Sequence, residues 1–133
     1  KSAAALEIAQ DIGGEIINAD SMQVYQNLQI ITACPSATDL AVAKHKLYSF
    51  VPLHQHFSVT KWQELAYQEI NLTTQNQLCP IVVGGTGFYI KTLINGISPI
   101  PEIAAEFRQK ATELFANCGF EKALKYLEKI DPI

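Results

Sequence analysis

Cysteine is scarce in this chain of 133 residues: Cys34, Cys79 and Cys118 are an odd number, and no two stand in a C-x-x-C pair. That excludes a disulfide framework and a thiolate zinc site, and it suits reduced thiols in a cytoplasmic protein. Long apolar runs are missing too, so no stretch reaches the length of a membrane span. No charged start followed by an apolar stretch and a small-residue cleavage site suggests a secretory leader. Basic excess is also lacking. With a net charge of −3, the chain has no bulk electrostatic hold on nucleic acid, which leaves room only for a local basic surface. Internal repeats and low-complexity tracts are absent.

What is present is an ordinary globular composition, with 48% hydrophobic and 17% charged residues, enough for one real core. Helix formers dominate residues 2–10, and Gly13-Gly14 closes that helix. "EIINAD", residues 15–20, reads as a short buried strand. The turn Pro35 to Asp39 caps a short helix over 39–44, and "KLYSFV", residues 46–51, alternates as a second strand before Pro52. Ser58 is a suitable N-cap for a helix reaching about residue 75, with Val59, Trp62, Leu65, Ala66 and Ile70 on its apolar face. "IVVGG" after Pro80 is a third strand without polar alternation, and a helix from Phe88 to about Asn95 follows. Pro99 and Pro101 mark a boundary between residues 1–100 and 101–133. Two amphipathic helices, 102–117 and 120–129, meet at Gly119, the second with Phe120, Ala123, Leu124, Leu127 and Ile130 on one face.

Strands separated by helices point to a parallel α/β fold of three layers, whose ligands bind beyond the carboxyl ends of the strands. "NADS" and "GGTG" both lie at such ends, which groups Asp20 with Thr86. Each has a plain alternative. Asp20-Ser21 suits a turn or a helix cap, and Thr86 suits the cap of the helix that begins at Phe88. The functional alternative for Asp20 is a carboxylate beside magnesium or a general base. Around Thr86, Gly84, Gly85 and Gly87 let backbone approach a ligand closely. Lys1-Ser2, opening a helix, matches the last pair of a phosphate-cradling loop, with the lysine on phosphate and the serine on magnesium. The glycine-rich half of that loop is not in the chain. His45, His54 and His56 read as ordinary surface or loop histidines rather than metal ligands. The face of "EKALKYLEK" reads as solvated, with Glu121 and Lys125 one turn apart.

Taken in order, "GEIINADSMQVYQNLQI", "TACPS", "FSVTKWQ", "PIVVGGTGFYIKTLINGIS" with "PIP", and the terminal "DP" resemble the tRNA dimethylallyltransferase family, also called tRNA isopentenyltransferases, of bacterial type. The resemblance spans essentially the whole chain. It implies a three-layer parallel sheet of the P-loop-containing nucleoside triphosphate hydrolase type, with the helical part from residue 101 beginning a tRNA-binding insertion. It also implies transfer of a dimethylallyl group from dimethylallyl diphosphate to N6 of the adenosine just 3′ of the anticodon, with magnesium as cofactor. The partners so implied are a tRNA anticodon stem-loop and dimethylallyl diphosphate, with no membrane, for a cytoplasmic monomer.

Carried over by position, Asp20 resembles the general base, and Thr86 the hydroxyl that bonds the bridging oxygen of the leaving diphosphate. Asp20, Ser21, Met22, Gln23, Thr86 and Arg108 match tRNA-contacting positions. Lys1 and Ser2 match the diphosphate-binding pair, Ser2 also as the magnesium ligand. Ile31 stands where the family commonly has glycine, and Cys34 where it commonly has lysine. The phosphate-loop glycines expected before Lys1, and an HPND and arginine-bearing segment expected soon after Pro132, make the chain read as a fragment. Three other classes stay open at this point: an adenylate isopentenyltransferase, a small-molecule P-loop kinase, and a non-enzymatic binding module.

Overall fold

Alanine-rich sequence from Ser2 winds into helix α1, Ser2–Ile12, and Ala5 and Ala9, one turn apart, are its buried stripe. Gly13 ends the helix at φ 66°, a left-handed conformation in which its N–H reaches the carbonyl of Ala9. The computed structural model describes residues 1–98 and 103–132. Strand β1, Gly14–Asn18, follows at once. It starts one residue earlier than its apolar pattern suggests and stops two residues short of Asp20. The Asn18 side chain is the reason: it bonds both backbone groups of Asp20 and folds the chain into a turn.

Ser36 and Asp39 form a reciprocal capping box at the head of α2, Ala37–Val42, two residues earlier than the expected span. The expected strand over 46–51 shrinks to β2, His45–Lys46. Leu47 and Ser49 take φ values of 62° and 49°, which no strand accommodates, and the Leu47 carbonyl turns instead to Asn18. Only Val51 keeps a parallel bridge, to Tyr25. Helix α3, Val59–Gln75, is capped by Ser58 as its sequence suggests, and it buries Trp62, Gln63, Ala66 and Thr73.

Strand β3, Cys79–Val83, begins earlier than "IVVGG" and contains Pro80. The Cys79 N–H bonds the Gly13 carbonyl, so by strand alternation the position without an N–H faces away from β1 and costs no bond in that ladder. Helix α4, Gly87–Asn95, follows. The described strands form one parallel sheet in the order β2-β1-β3, with Ile16 beside His45 and Ile81. Ile16, Ile81 and Val83 pack with Ala5 and Ala9 of α1, while Val82 packs on the other face with Trp62, Ala66 and Tyr89 of α3 and α4. Helices therefore cover both faces, and the three-layer α/β expectation holds.

Trp62 anchors the second face. Its ring stacks on Tyr89 at 4.3 Å and 18°, and its indole N–H donates to the Asn18 carbonyl at 2.8 Å. Burial, then the nearby charges of Tyr25 and Asp20, raise the Tyr89 phenol pKa. At the opposite end of β1, the buried Glu15 carboxylate accepts from Lys44 at 3.0 Å and from the Thr73 hydroxyl at 2.9 Å, with Lys46 at 4.0 Å. Burial pushes its pKa up, but those hydrogen bonds and charges outweigh it, and the net is a lowering.

The chain divides into two units, Lys1–Ile97 and Ser98–Ile133. The expected linker prolines, Pro99 and Pro101, lie outside the described residues. In the second unit, helix α5, Ala105–Ile130, is interrupted at Gly119 with φ 73° and ψ 172°. That gives the two helical segments expected there. Of the apolar face of the second segment, only Ala123 is half-buried.

Candidate active site

β1 and β3 end side by side, at Asn18 and Val83, and the loops after them are zipped together. The Ala19 N–H bonds the Val83 carbonyl at 2.8 Å, and the Thr86 N–H bonds the Ala19 carbonyl at 3.1 Å. Any Cβ on Gly84 would overlap the carbonyl of Ala19, so only glycine allows this approach. One residue on, a point at Cβ distance from Gly85 lies 3.0 Å from Asp20 Oδ2 and 3.3 Å from Lys1 Nζ. An acid from the first strand and a cation from the start of α1 thus converge on bare backbone after the third.

Asp20 forms the turn that its sequence offered, and one carboxylate oxygen stays outside that turn. Its Oδ1 accepts the Met22 N–H at 3.0 Å, a turn-forming bond, while Oδ2 flanks Gly85. The turn holds the carboxylate rather than consuming it. Asn18, to which the sequence assigned no role beyond the strand end, fixes the turn. It is fully buried, its Oδ1 accepts the Asp20 N–H at 2.9 Å, and its amide donates to the carbonyls of Asp20 and Leu47 at 3.0 and 2.9 Å. The available signal was an amide immediately before a buried strand end followed by Asp-Ser.

Thr86 sits at the N-cap position of α4, yet its side chain makes no capping bond. Its Oγ1 accepts the Ser21 N–H at 2.8 Å and donates to Ser21 Oγ at 3.1 Å. The capping alternative is therefore set aside, and Asp20, Ser21, Thr86 and Lys1 stand together. Lys1 likewise precedes α1 without a side-chain cap; in α4 the Tyr89 N–H turns back to the Thr86 carbonyl at 3.0 Å, which leaves the N–H groups of Gly87 and Phe88 at the mouth of the site.

The remaining candidates lie around or apart from this centre. Ser2 lines a cavity of about 290 Å³ with Leu6, Cys34, Asp39 and Tyr48 among its walls. Burial first, then the nearby Cys34 and Asp20, push the Tyr48 phenol up to about 12. Met22 is exposed. The Gln23 amide is turned back to the carbonyls of Thr32 and Ala33, at 2.8 and 3.0 Å, so both of its donors brace the loop. Cys34, in that loop, lies 3.3 Å from the Thr32 hydroxyl and 3.8 Å from the Gln23 carbonyl, and Ile31 is exposed. His45 Nδ1 meets the Ala43 carbonyl at 2.9 Å. Arg108 is exposed on α5 in the second unit.

A family model described as IPP transferase matches residues 23–133. This chain belongs to the IPP transferase family. It is 47% identical over 132 residues to a tRNA dimethylallyltransferase of Pelagibacter ubique, a match covering 99% of this chain and 42% of that protein. The full-length tRNA isopentenylpyrophosphate transferase of Bacillus halodurans superposes with a TM-score of 0.72 at 29% identity, over 99% of this chain and 44% of that one. A eukaryotic dimethylallyltransferase, solved in snapshots acting on tRNA, superposes with a TM-score of 0.82 at 26% identity, over 99% of this chain and 33% of the other. The chain spans about two fifths of the length of the first two relatives. The P-loop-type α/β fold that the resemblance implied is the fold shared with these structures. The family model begins at Gln23, but the alignment to the Pelagibacter protein extends over essentially the whole chain, the Asp20–Ser21 turn included.

Proposed function

We propose that the full-length protein transfers a dimethylallyl group from dimethylallyl diphosphate to N6 of adenosine 37, beside the anticodon of tRNAs that read codons beginning with U. The products are N6-(dimethylallyl)adenosine and diphosphate. The observation that carries this reading is the convergence of Asp20 Oδ2 and Lys1 Nζ on the bare backbone of Gly85. The names of the relatives, a tRNA dimethylallyltransferase and a dimethylallyltransferase acting on tRNA, support the same reading.

The chemistry follows from the two charges. The exocyclic amine of adenosine is a poor nucleophile because its lone pair is delocalised into the ring. Asp20 Oδ2 accepts its proton as the bond to carbon forms, while Oδ1 stays tied to the Met22 N–H and keeps the carboxylate aimed. The leaving diphosphate gathers charge as the allylic C–O bond breaks. Lys1 and the uncapped N-termini of α1 and α4 therefore act most strongly in the transition state. Ser2 supplies a hard oxygen at the head of α1, and with substrate phosphates it makes a donor set that suits magnesium. When bound, magnesium neutralises charge on the diphosphate.

The adenosine leaves its stack to reach Asp20, as bases do for chemistry at their edges. The Ser21 to Gln23 segment then runs along the RNA. Met22 offers an exposed apolar contact, Gln23 acts by bracing residues 32–33, and Arg108 contributes a phosphate contact from the helical unit. We place the reaction in the cytoplasm, in a monomer. No helix among the described residues is long and apolar enough to cross a membrane.

Labelled dimethylallyl diphosphate, offered to the full-length protein with tRNA, AMP or a small hydroxyl acceptor, tests the reading. Label is expected on tRNA. Label on AMP alone makes the protein an adenylate isopentenyltransferase, and phosphorylation driven by ATP makes it a kinase.

A further inference from the structure

Gly84 and Gly85 are adjacent, yet the fold needs only the first of them to be glycine. A Cβ on Gly84 overlaps the Ala19 backbone. Gly85 is exposed, and its φ lies outside the left-handed region, so its backbone suits any L residue. Apart from its chain neighbours, a Cβ there would meet no backbone within 4 Å, only Asp20 Oδ2 at 3.0 Å and Lys1 Nζ at 3.3 Å. Carbon atoms settle at about 3.5–4.0 Å from their neighbours. That point is therefore the floor of a gap no wider than one carbon, with an acid on one side and a cation on the other. The two charges do not close the gap themselves, since no ion pair joins them.

We infer that Gly85 keeps open the passage through which the allylic carbon moves from diphosphate to amine, and that its missing side chain serves the rate of transfer rather than the fold. The inference rests on the prenyl-transfer reading and adds a positioning residue to it. Lys1 holds the diphosphate side and Asp20 the amine side. The allylic C–O bond breaks with its electron pair on diphosphate, the amine lone pair forms the C–N bond, and the amine proton goes to Asp20 Oδ2. Both bonds lie between the two charged tips, so the carbon in transit crosses above Gly85. A methyl group on that floor lifts the carbon out of line between the amine and the departing oxygen. A displacement of about 1 Å at a reacting centre costs about a hundredfold in rate. The fold is spared, because both neighbours of the added carbon are the ends of side chains.

Full-length G85A and G85V test this in single-turnover transfer, with tRNA and labelled dimethylallyl diphosphate both saturating. Thermal unfolding and tRNA Kd are measured beside each rate. Calorimetric titrations with inorganic diphosphate and with dimethylallyl diphosphate, both without tRNA, accompany them. G85A is expected to slow transfer by about 10- to 100-fold, and G85V by more. The thermal midpoint of G85A should match wild type or rise by up to about 3 °C, because alanine at a compatible φ restricts the unfolded chain. Its Kd for tRNA and for inorganic diphosphate should change less than about threefold. Its Kd for dimethylallyl diphosphate should rise at least about fivefold, because only that ligand brings a carbon into the gap.

G85A at the full rate of a wild-type protein that labels tRNA overturns the inference. A fall of more than about 5 °C in the thermal midpoint of G85A makes glycine a requirement of the fold and overturns it as well. Equal losses of affinity for the two diphosphates also overturn it, because the methyl then obstructs the anion at Lys1 and not the carbon. A wild-type protein that labels no tRNA refutes the underlying reading instead.

Discussion

Replacing Asn18 with alanine removes three hydrogen bonds from a side chain with no exposed surface. The half-buried Leu47 carbonyl loses its amide partner, and the two backbone groups of Asp20 lose theirs. A buried polar group left unpaired costs about 1–3 kcal/mol. Water can reach the half-buried Asp20 turn, so its two bonds are worth nearer the net value of about 1 kcal/mol each. The expected loss for N18A is therefore about 3–5 kcal/mol in full-length protein, read from urea denaturation. N18D separates the donors from the acceptor. It keeps an oxygen for the Asp20 N–H but turns a second oxygen on two carbonyls. At neutral pH it should lose more than N18A.

Protonation gives N18D a donor, so the carboxyl's folded pKa is raised above its unfolded value. Its penalty is then largest above that folded pKa and shrinks as pH falls through it. Single-turnover transfer by N18A should drop by more than tenfold with a smaller change in tRNA affinity, because Asp20 loses its frame. N18A within about 0.5 kcal/mol of wild type, or N18D no worse than N18A at neutral pH, would refute this reasoning.

Three other perturbations follow from the same geometry. G84A places a Cβ on the Ala19 backbone and should cost more than about 3 kcal/mol, beyond the usual range for a surface glycine, as read by thermal unfolding. E15Q removes a carboxylate whose folded pKa is lowered by Lys44, Thr73 and Lys46, so that group stabilises the fold above its ordinary value of 4.5, and the contribution fades as pH drops through the folded pKa. E15Q should be destabilised at pH 7 by about 1–3 kcal/mol, with the gap to wild type closing in acid denaturation. W62F removes the indole bond to Asn18 but keeps the ring stack, and should lose about 1–2 kcal/mol of stability in urea.

Much of the frame was legible because it is local. Ser58, Gly13 and the Ser36–Asp39 box announce their helix ends through chemistry that acts within four residues. The parallel sheet followed from strands alternating with helices. "KLYSFV" misled because alternation records which side chains are apolar and not which backbone torsions are left-handed. Leu47 takes its φ from the tertiary bond to Asn18, which no window of sequence contains. The grouping of Asp20 with Thr86 was visible as two strand ends. Their link through Ser21, and the meeting of Lys1 and Asp20 at Gly85, depend on contacts 65 residues or more apart. Gln23 shows the same limit from the other side, since its amide proves to face its own loop.

The central claim is that Asp20 Oδ2 takes the proton from the acceptor amine. Single-turnover transfer by full-length D20N, with tRNA and labelled dimethylallyl diphosphate both saturating, tests it most directly. Asparagine keeps the oxygen that accepts the Met22 N–H and removes only the basicity. The account predicts a loss of at least about a hundredfold in rate with tRNA binding within a few-fold of wild type. Transfer by D20N at the wild-type rate would contradict it and leave Asp20 a turn residue alone.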